Sequence, residues 1–140
     1  MLSIDACVII SAARECINTP FRHQGRINGR ALDCAGLIIH VAHELGLDYL
    51  DQAGYARLPG AGLLEAALDA QPCLQRVAEL QPGDIALMSF SSGPQHLGFF
   101  DGENLIHAYQ PYGKVCEHRL TAEWRNRIVR IYRFVRISHG

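Results

Sequence analysis

The stretch GRALDCAGLIIHVAHELG, residues 29–46, changes pattern at its sixth residue. Asp33 is a residue type favoured at helix N-caps. Beyond it Leu37, Ile38, Val41 and Leu45 recur at helical spacing, and Gly46 closes the run. The spacing predicts a helix whose first turn holds Cys34. Unpaired N–H groups and the helix dipole favour an anion there, and a thiolate is one. Cys34 is therefore expected as a nucleophile, its pKa drawn from about 8.5 towards neutrality. The competing reading is a small buried hydrophobe. A base elsewhere in the chain would separate the two.

The chain has 140 residues, the size of one ordinary domain, so a single domain over residues 1–140 is expected. Nearly half of it is hydrophobic (49%) and a fifth charged (19%), the balance of a globular protein. A formal charge of −1 gives no general attraction to nucleic acid or to a membrane surface. No apolar run approaches the roughly 20 residues of a spanning helix, so no membrane insertion is expected. The N-terminal MLSIDACVIISAARE lacks the basic start of a signal peptide. Five cysteines is an odd number, without CxxC or zinc-type Cys/His spacing, so reduced thiols and no metal or other cofactor are expected.

Residues 4–17 read as a helix, with Ser3 as its cap. The turn-rich NTPFRHQGRINGR reads as a loop, and residues 48–62 as a long connection of the kind that often binds ligands. LLEAALDA reads as a short helix. Beyond residue 80 come strands: GDIALMSF, HLGFFD, NLIHAY, GKVCEHRL and RIVRIYRFV. Helices first and strands afterwards give an α+β domain with N-terminal helices on a C-terminal antiparallel sheet.

Sulfur attack on a carbonyl needs a base and a third group that holds the base's tautomer. His96 and His107 lie on adjacent strands joined by the turn at Asp101–Glu103, where antiparallel pairing sets them side by side. Gly98, two residues after His96, suits a close approach. His40 and His43 share a helix face, and either solvent or a metal pair accounts for them. His118 and His139 read as surface residues. His23 reads equally as structure or as substrate contact. Cys7, Cys16, Cys73 and Cys116 read as packing. Arg125, Arg127, Arg130, Arg133 and Arg136 form a basic edge, read as solvated or as a docking patch with Trp124.

TPFRHQGRINGRALDCAGL, PGDIALM, HLGFF and LIHAY together resemble the ordered motifs of the NlpC-type cell-wall cysteine peptidases. With the closing EHRLTAEWRNRIVRIYRF, the pattern is most similar to the branch associated with the tails of phages and gene-transfer agents. The resemblance implies a papain-like fold and hydrolysis of an amide in peptidoglycan stem peptides, typically between D-glutamate and the diamino acid. It implies Cys34 as nucleophile, His96 as general base and His107 as the residue orienting it. Phe21, His23, Gln24 and Asp33 become candidates for substrate contact. It further implies tail hub or tail-tip proteins as partners, and synthesis in the bacterial cytoplasm followed by action on the wall in the periplasm. Two positions depart from the family pattern. Phe21 stands where tyrosine is usual, which leaves Gln24 or the Cys34 N–H as oxyanion donor, and Ala35 stands where serine is common. The alternatives are a structural tail-tip component of the same fold that no longer turns over, and an amidase cutting between sugar and peptide.

Overall fold

The chain's computed structural model describes residues 2–51, 63–90 and 93–136. In chain order the elements are β1 (Leu2–Ser3), α1 (Ala6–Arg14), β2 (Arg26–Ile27), β3 (Ala31–Leu32) and α2 (Cys34–Glu44). There follow α3 (Leu63–Asp69), β4 (Leu74–Val77), β5 (Ile85–Phe90), β6 (Gly93–Phe100) and β7 (Asn104–Tyr109). A 3-10 turn over Gln110–Tyr112 leads to β8 (Lys114–Arg119), α4 (Ala122–Arg125) and β9 (Ile128–Arg136). Among the described residues, seven strands form one antiparallel sheet in the order β1-β9-β5-β6-β7-β8, with β4 also paired to β9.

Strand alternation divides the packing. Ile85 and Leu87 of β5 face α1 and α2 and join Leu37, Ile38, Val41, Leu97, Phe99 and Ile106 in the main core. Ala86 and Met88 face the other way, into a smaller cluster with Phe100, Leu105 and Leu120, against which Trp124 of α4 packs. The α+β class expected from the sequence is the class observed.

Three expectations change in detail. The first helix is Ala6–Arg14 rather than 4–17, because Asp5 caps it, its Oδ1 accepting from Cys7 N–H at 2.9 Å. Leu2–Ser3 pairs instead with the end of β9. The segment before Cys34 holds the β2–β3 hairpin, and Cys73 directly precedes a strand that the sequence reading lacked. Of the expected binding loop at 48–62, residues 52–62 lie outside the described residues, as does His139.

The C-terminal arginines are not an unpaired basic edge. Arg133 binds buried Asp84 through Nε at 2.7 Å and Nη2 at 2.8 Å, Arg130 binds Asp69 at 3.1 Å, and Arg127 binds Glu123 at 3.3 Å. Arg136 donates to Leu45 O at 2.8 Å, at the C-terminal end of α2, where a cation is favoured. Arg125 lies over the Phe100 ring. Acidic groups of neighbouring elements thus pair three of the five arginines within the chain.

Gly36 is where α2 meets the preceding loop. A Cβ there would lie 1.9 Å from Gly25 O, and a Cβ on Gly25 would lie 2.7 Å from the Ala31 carbonyl. Two side-chain-free positions let loop and helix touch backbone to backbone. Gly36→Ala is expected to destabilise the fold by about 1–3 kcal/mol or more, since backbone rather than a flexible side chain must move. Thermal or urea unfolding of the variant measures this.

Candidate active site

Cys34 opens α2, as its sequence setting predicts. Asp33 is the N-cap: Oδ1 accepts Gly36 N–H at 2.7 Å and the Arg26 guanidinium at 3.0 Å, and Oδ2 accepts Gln24 N–H at 2.8 Å. The residue is 3% exposed. Asp33 thus fixes the loop over the helix start. It was expected as a substrate contact, but its oxygens face internal donors. Gln24 sits at φ +62°, a conformation non-glycine residues rarely take, and the Asp33 bond holds it there. Phe21 packs its ring on the main core while its N–H donates to Gly113 O at 2.8 Å, tying the loop to the turn before β8. His23, beside Gln24 on this loop, is half buried.

The sheet supplies the other half of the site. Phe100 points its backbone groups at the β5 side, where its N–H donates to Asp84 O and its carbonyl accepts Gly83 N–H. Alternation then turns Leu97 N–H towards β7. The β6–β7 pairing, however, covers only Phe99 with Ile106 and Phe100 with Leu105. Past that point the strands part, and Leu97 N–H points at the Cys34 sulfur, as does Ala35 N–H. The sulfur is therefore held beside the residue that follows His96. Gly98 makes room here. A Cβ at that position would come within 2.6 Å of Leu105 and 3.1 Å of the His107 Cβ.

His96 and His107 do meet. His96 Nε2 lies 2.5 Å from His107 Nδ1. The contact continues further than the sequence reading foresaw: His107 Nε2 lies 2.7 Å from His118 Nε2, and His118 Nδ1 lies 3.0 Å from Arg119 O. A carbonyl can only accept, so His118 Nδ1 carries a proton. With neutral imidazoles, His118 Nε2 then accepts from His107 Nε2–H, and His107 Nδ1 accepts from His96 Nε2–H. This leaves His96 Nδ1 with a bare lone pair, the form a general base needs. His118 is partly exposed, as read, but it is also bonded to His107, which the sequence reading missed. Its signal was the equal eleven-residue spacing of His96, His107 and His118, together with an alternation that puts all three on one sheet face.

Trp124 lies over this chain, its ring centroid 5.1 Å from His107, 5.2 Å from His118 and 6.4 Å from His96. It covers the imidazoles while staying partly exposed. Phe90 and Tyr109 close the same pocket, at 5.9 and 5.3 Å from His96. Exclusion of water sets the protonation states. Burial, and then the neighbouring His118, hold His96 down to about 3; burial, then His96 and His118, hold His107 down to about 2. Burial, and then Asp33, push the Cys34 thiol up to about 12, while the Leu97 and Ala35 N–H groups oppose the rise. The expected drop towards neutrality is reversed in the empty site, because desolvation outweighs the helix start. At rest, thiol and imidazole are both uncharged.

Among the other expected or unassigned residues, His43 contacts the Tyr49 hydroxyl at 3.1 Å, which accounts for it without a metal. Cys16 and Cys73 are buried, as packing residues should be, and Cys7 is exposed. Among the described residues one group could hold a metal ion: His107, Cys116 and His118, whose ligand atoms all lie within 4.8 Å of one another.

A thiol at a helix start, beside an antiparallel sheet that carries a tautomer-fixed imidazole, defines the papain-like class of α+β fold. Residues 18–133 match the NlpC/P60 family, and the chain belongs to that family. No curated protein matches the sequence. Solved structures do resemble it. The NlpC/P60 domain of the peptidoglycan hydrolase SagA has a TM-score of 0.63 at 20% identity, over 91% of this chain and 97% of that one. A lipoprotein-like NLP/P60 family protein from Staphylococcus aureus has a TM-score of 0.68 at 18% identity, over 96% of this chain; the match spans only 44% of that longer chain. An N-acetylmuramoyl-L-alanine amidase from Bacteroides uniformis has a TM-score of 0.60 at 13% identity, over 94% and 99% of the two chains.

The depressed histidines carry a pH signature. Unfolded imidazoles take up protons below about 6.5, whereas His96 and His107 in the fold stay neutral down to about 3 and 2. The unfolded state thus binds more protons in that window, so stability falls as pH drops through it. Thermal melts between pH 7 and 5, above most carboxylate titration, are expected to show a falling Tm. The slope should be shallower in His96→Gln and His107→Gln.

Proposed function

We propose that this chain is a cysteine endopeptidase that hydrolyses an amide in the peptide stem of peptidoglycan, the bond between D-glutamate and the diamino acid. The observation that carries the reading is the bare Nδ1 of His96, left so by the imidazole chain, next to the residue whose N–H meets the Cys34 sulfur. On substrate binding, His96 Nδ1 takes the Cys34 proton as the sulfur attacks the amide carbonyl carbon. Backbone N–H groups at the start of α2 receive the developing oxyanion. The C–N bond then breaks, the His96 imidazolium protonates the leaving amine, and a thioester remains. Water gives a proton to His96 Nδ1 and attacks the thioester, and the thiol is restored. His107 acts as acceptor for His96 Nε2–H and keeps the base in the right tautomer. The chemistry needs no metal.

The family membership supports wall hydrolysis, and the similar structures include a peptidoglycan hydrolase and an amidase. The finer placement, in the tail tip of a phage or tail-like particle that opens the wall locally, is supported by the sequence resemblance to the tail-associated branch. A tail hub protein would then fix the enzyme at the puncture point, where effective concentration replaces affinity for the polymer. A structural tail component without turnover is the second reading. It is favoured by Phe21, whose ring lacks the hydroxyl usual at that position and packs on the core.

Digestion of purified peptidoglycan followed by mass spectrometry tests the proposal. New D-glutamate ends support it, free lactyl carboxylates with new L-alanine amino ends indicate an amidase, and no products favour the structural reading. Cys34→Ala is expected to abolish release, and His96→Ala to reduce it more than His107→Ala does. Full activity in both histidine variants would remove the imidazoles from the mechanism.

A further inference from the structure

We propose that His107, Cys116 and His118 form a binding site for a zinc-type divalent cation, and that its occupation turns the imidazole chain off. Cys116 stands directly opposite His107 in the β7–β8 register, and His118 follows two residues later. Alternation puts all three side chains on one face of the hairpin, with their ligand atoms within 4.8 Å of one another. His107 is fully buried, whereas Cys116 and His118 reach the surface, so an ion has a path from solvent.

Two imidazoles and a thiolate are a borderline-soft donor set suited to zinc, with a fourth position open to water. Zn–N near 2.0 Å and Zn–S near 2.3 Å in a tetrahedron require donor separations of roughly 3.3–3.6 Å. The 2.7 Å contact between His107 and His118 must open by about 0.6 Å, and the widest pair must close by about 1.2 Å at most. Side-chain rotation covers both.

The consequence follows from proton positions. His118 Nε2 already carries a lone pair rather than a proton in the assigned tautomer, released for the metal when His107 gives up its Nε2 proton, and Cys116 releases its thiol proton to solvent. His107 has to vacate Nε2 for the metal, so its one proton moves to Nδ1. It then donates to His96 Nε2 instead of accepting from it. A neutral His96 must in turn carry its proton on Nδ1, the nitrogen that otherwise takes the Cys34 proton. The metal touches neither Cys34 nor His96, yet the base is lost.

The inhibitory consequence rests on the hydrolase reading, whereas binding and tautomer shift do not, so the test reads them separately. Cobalt(II) added to the full-length chain is expected to give a sulfur-to-metal charge-transfer band. The band should persist in Cys34→Ala and vanish in Cys116→Ser. Long-range proton–nitrogen NMR with zinc chloride should move the His107 proton from Nε2 to Nδ1. Zinc should inhibit hydrolysis, and Cys116→Ser should require about ten-fold more zinc, or higher still, for the same inhibition. A band lost in Cys34→Ala and kept in Cys116→Ser would place the ion on the nucleophile and overturn the proposal. So would the absence of any band, an unmoved His107 proton, or activation by zinc. An unmetallated chain that hydrolyses nothing would defeat the hydrolase reading alone, and the spectroscopic arms would still decide the site.

Discussion

Two buried imidazoles and a half-buried third can satisfy one another only if their protons agree, and the Arg119 carbonyl makes them agree. It accepts from His118 Nδ1, and each further proton position follows from that one bond. An unsatisfied buried nitrogen would cost about 1–3 kcal/mol, so the ordered chain is strongly preferred to any arrangement with two facing donors. Much of the sheet serves this line. The β7–β8 register brings His118 diagonal to His107, Gly98 lets β6 approach the His107 side chain, and Trp124 with Phe90 keeps water away.

The thiol side depends on a second, independent constraint. The Asp33 carboxylate gathers the helix start, the Arg26 guanidinium and the strained Gln24 backbone at one point. Gly25 and Gly36 allow the close contact that this requires. The residues around Cys34 are therefore mostly instructions for holding a loop on a helix. Sulfur chemistry needs that rigidity, because a nucleophile displaced by an ångström loses much of its rate advantage.

These two halves were unequally legible in the sequence. The Cys34 helix was readable because an N-cap, an apolar period and a closing glycine agree along one short stretch. NLIHAY is the strand Asn104–Tyr109 because an Asp-Gly turn marks its start and alternation fills its length. The β2–β3 hairpin was not readable, since two-residue strands carry no period, and α4, four residues long, hardly more. The contacts of His118 and Trp124 were illegible for a different reason. Each sits half buried beside charged residues, and only tertiary packing sets its ring against His107. The arginines of β9 read as a free edge because their partners Asp69 and Asp84 lie far away in the chain.

The expected thiolate was the instructive error, since the helix start is real and the sulfur does face two N–H groups. A first-turn anion gains only about 0.3–1 kcal/mol at an exposed site and up to about 2 when partly buried. Removing a lone charge from water costs several times more. Each partner alone is thus held neutral: Cys34 by a raised pKa, His96 by a lowered one. Moving the proton from sulfur to nitrogen leaves the net charge of the pocket unchanged. The two charges it creates attract by about 4 kcal/mol at 4 Å in an effective dielectric of 20. A burial that forbids either ion singly is therefore far more permissive towards the pair. In the proposed mechanism, a substrate carbonyl that draws electron density from the sulfur completes the transfer, which would couple proton movement to attack. Desolvation of this kind disfavours a standing thiolate in the empty site and, in the proposed mechanism, admits the charged pair when a scissile amide is in place.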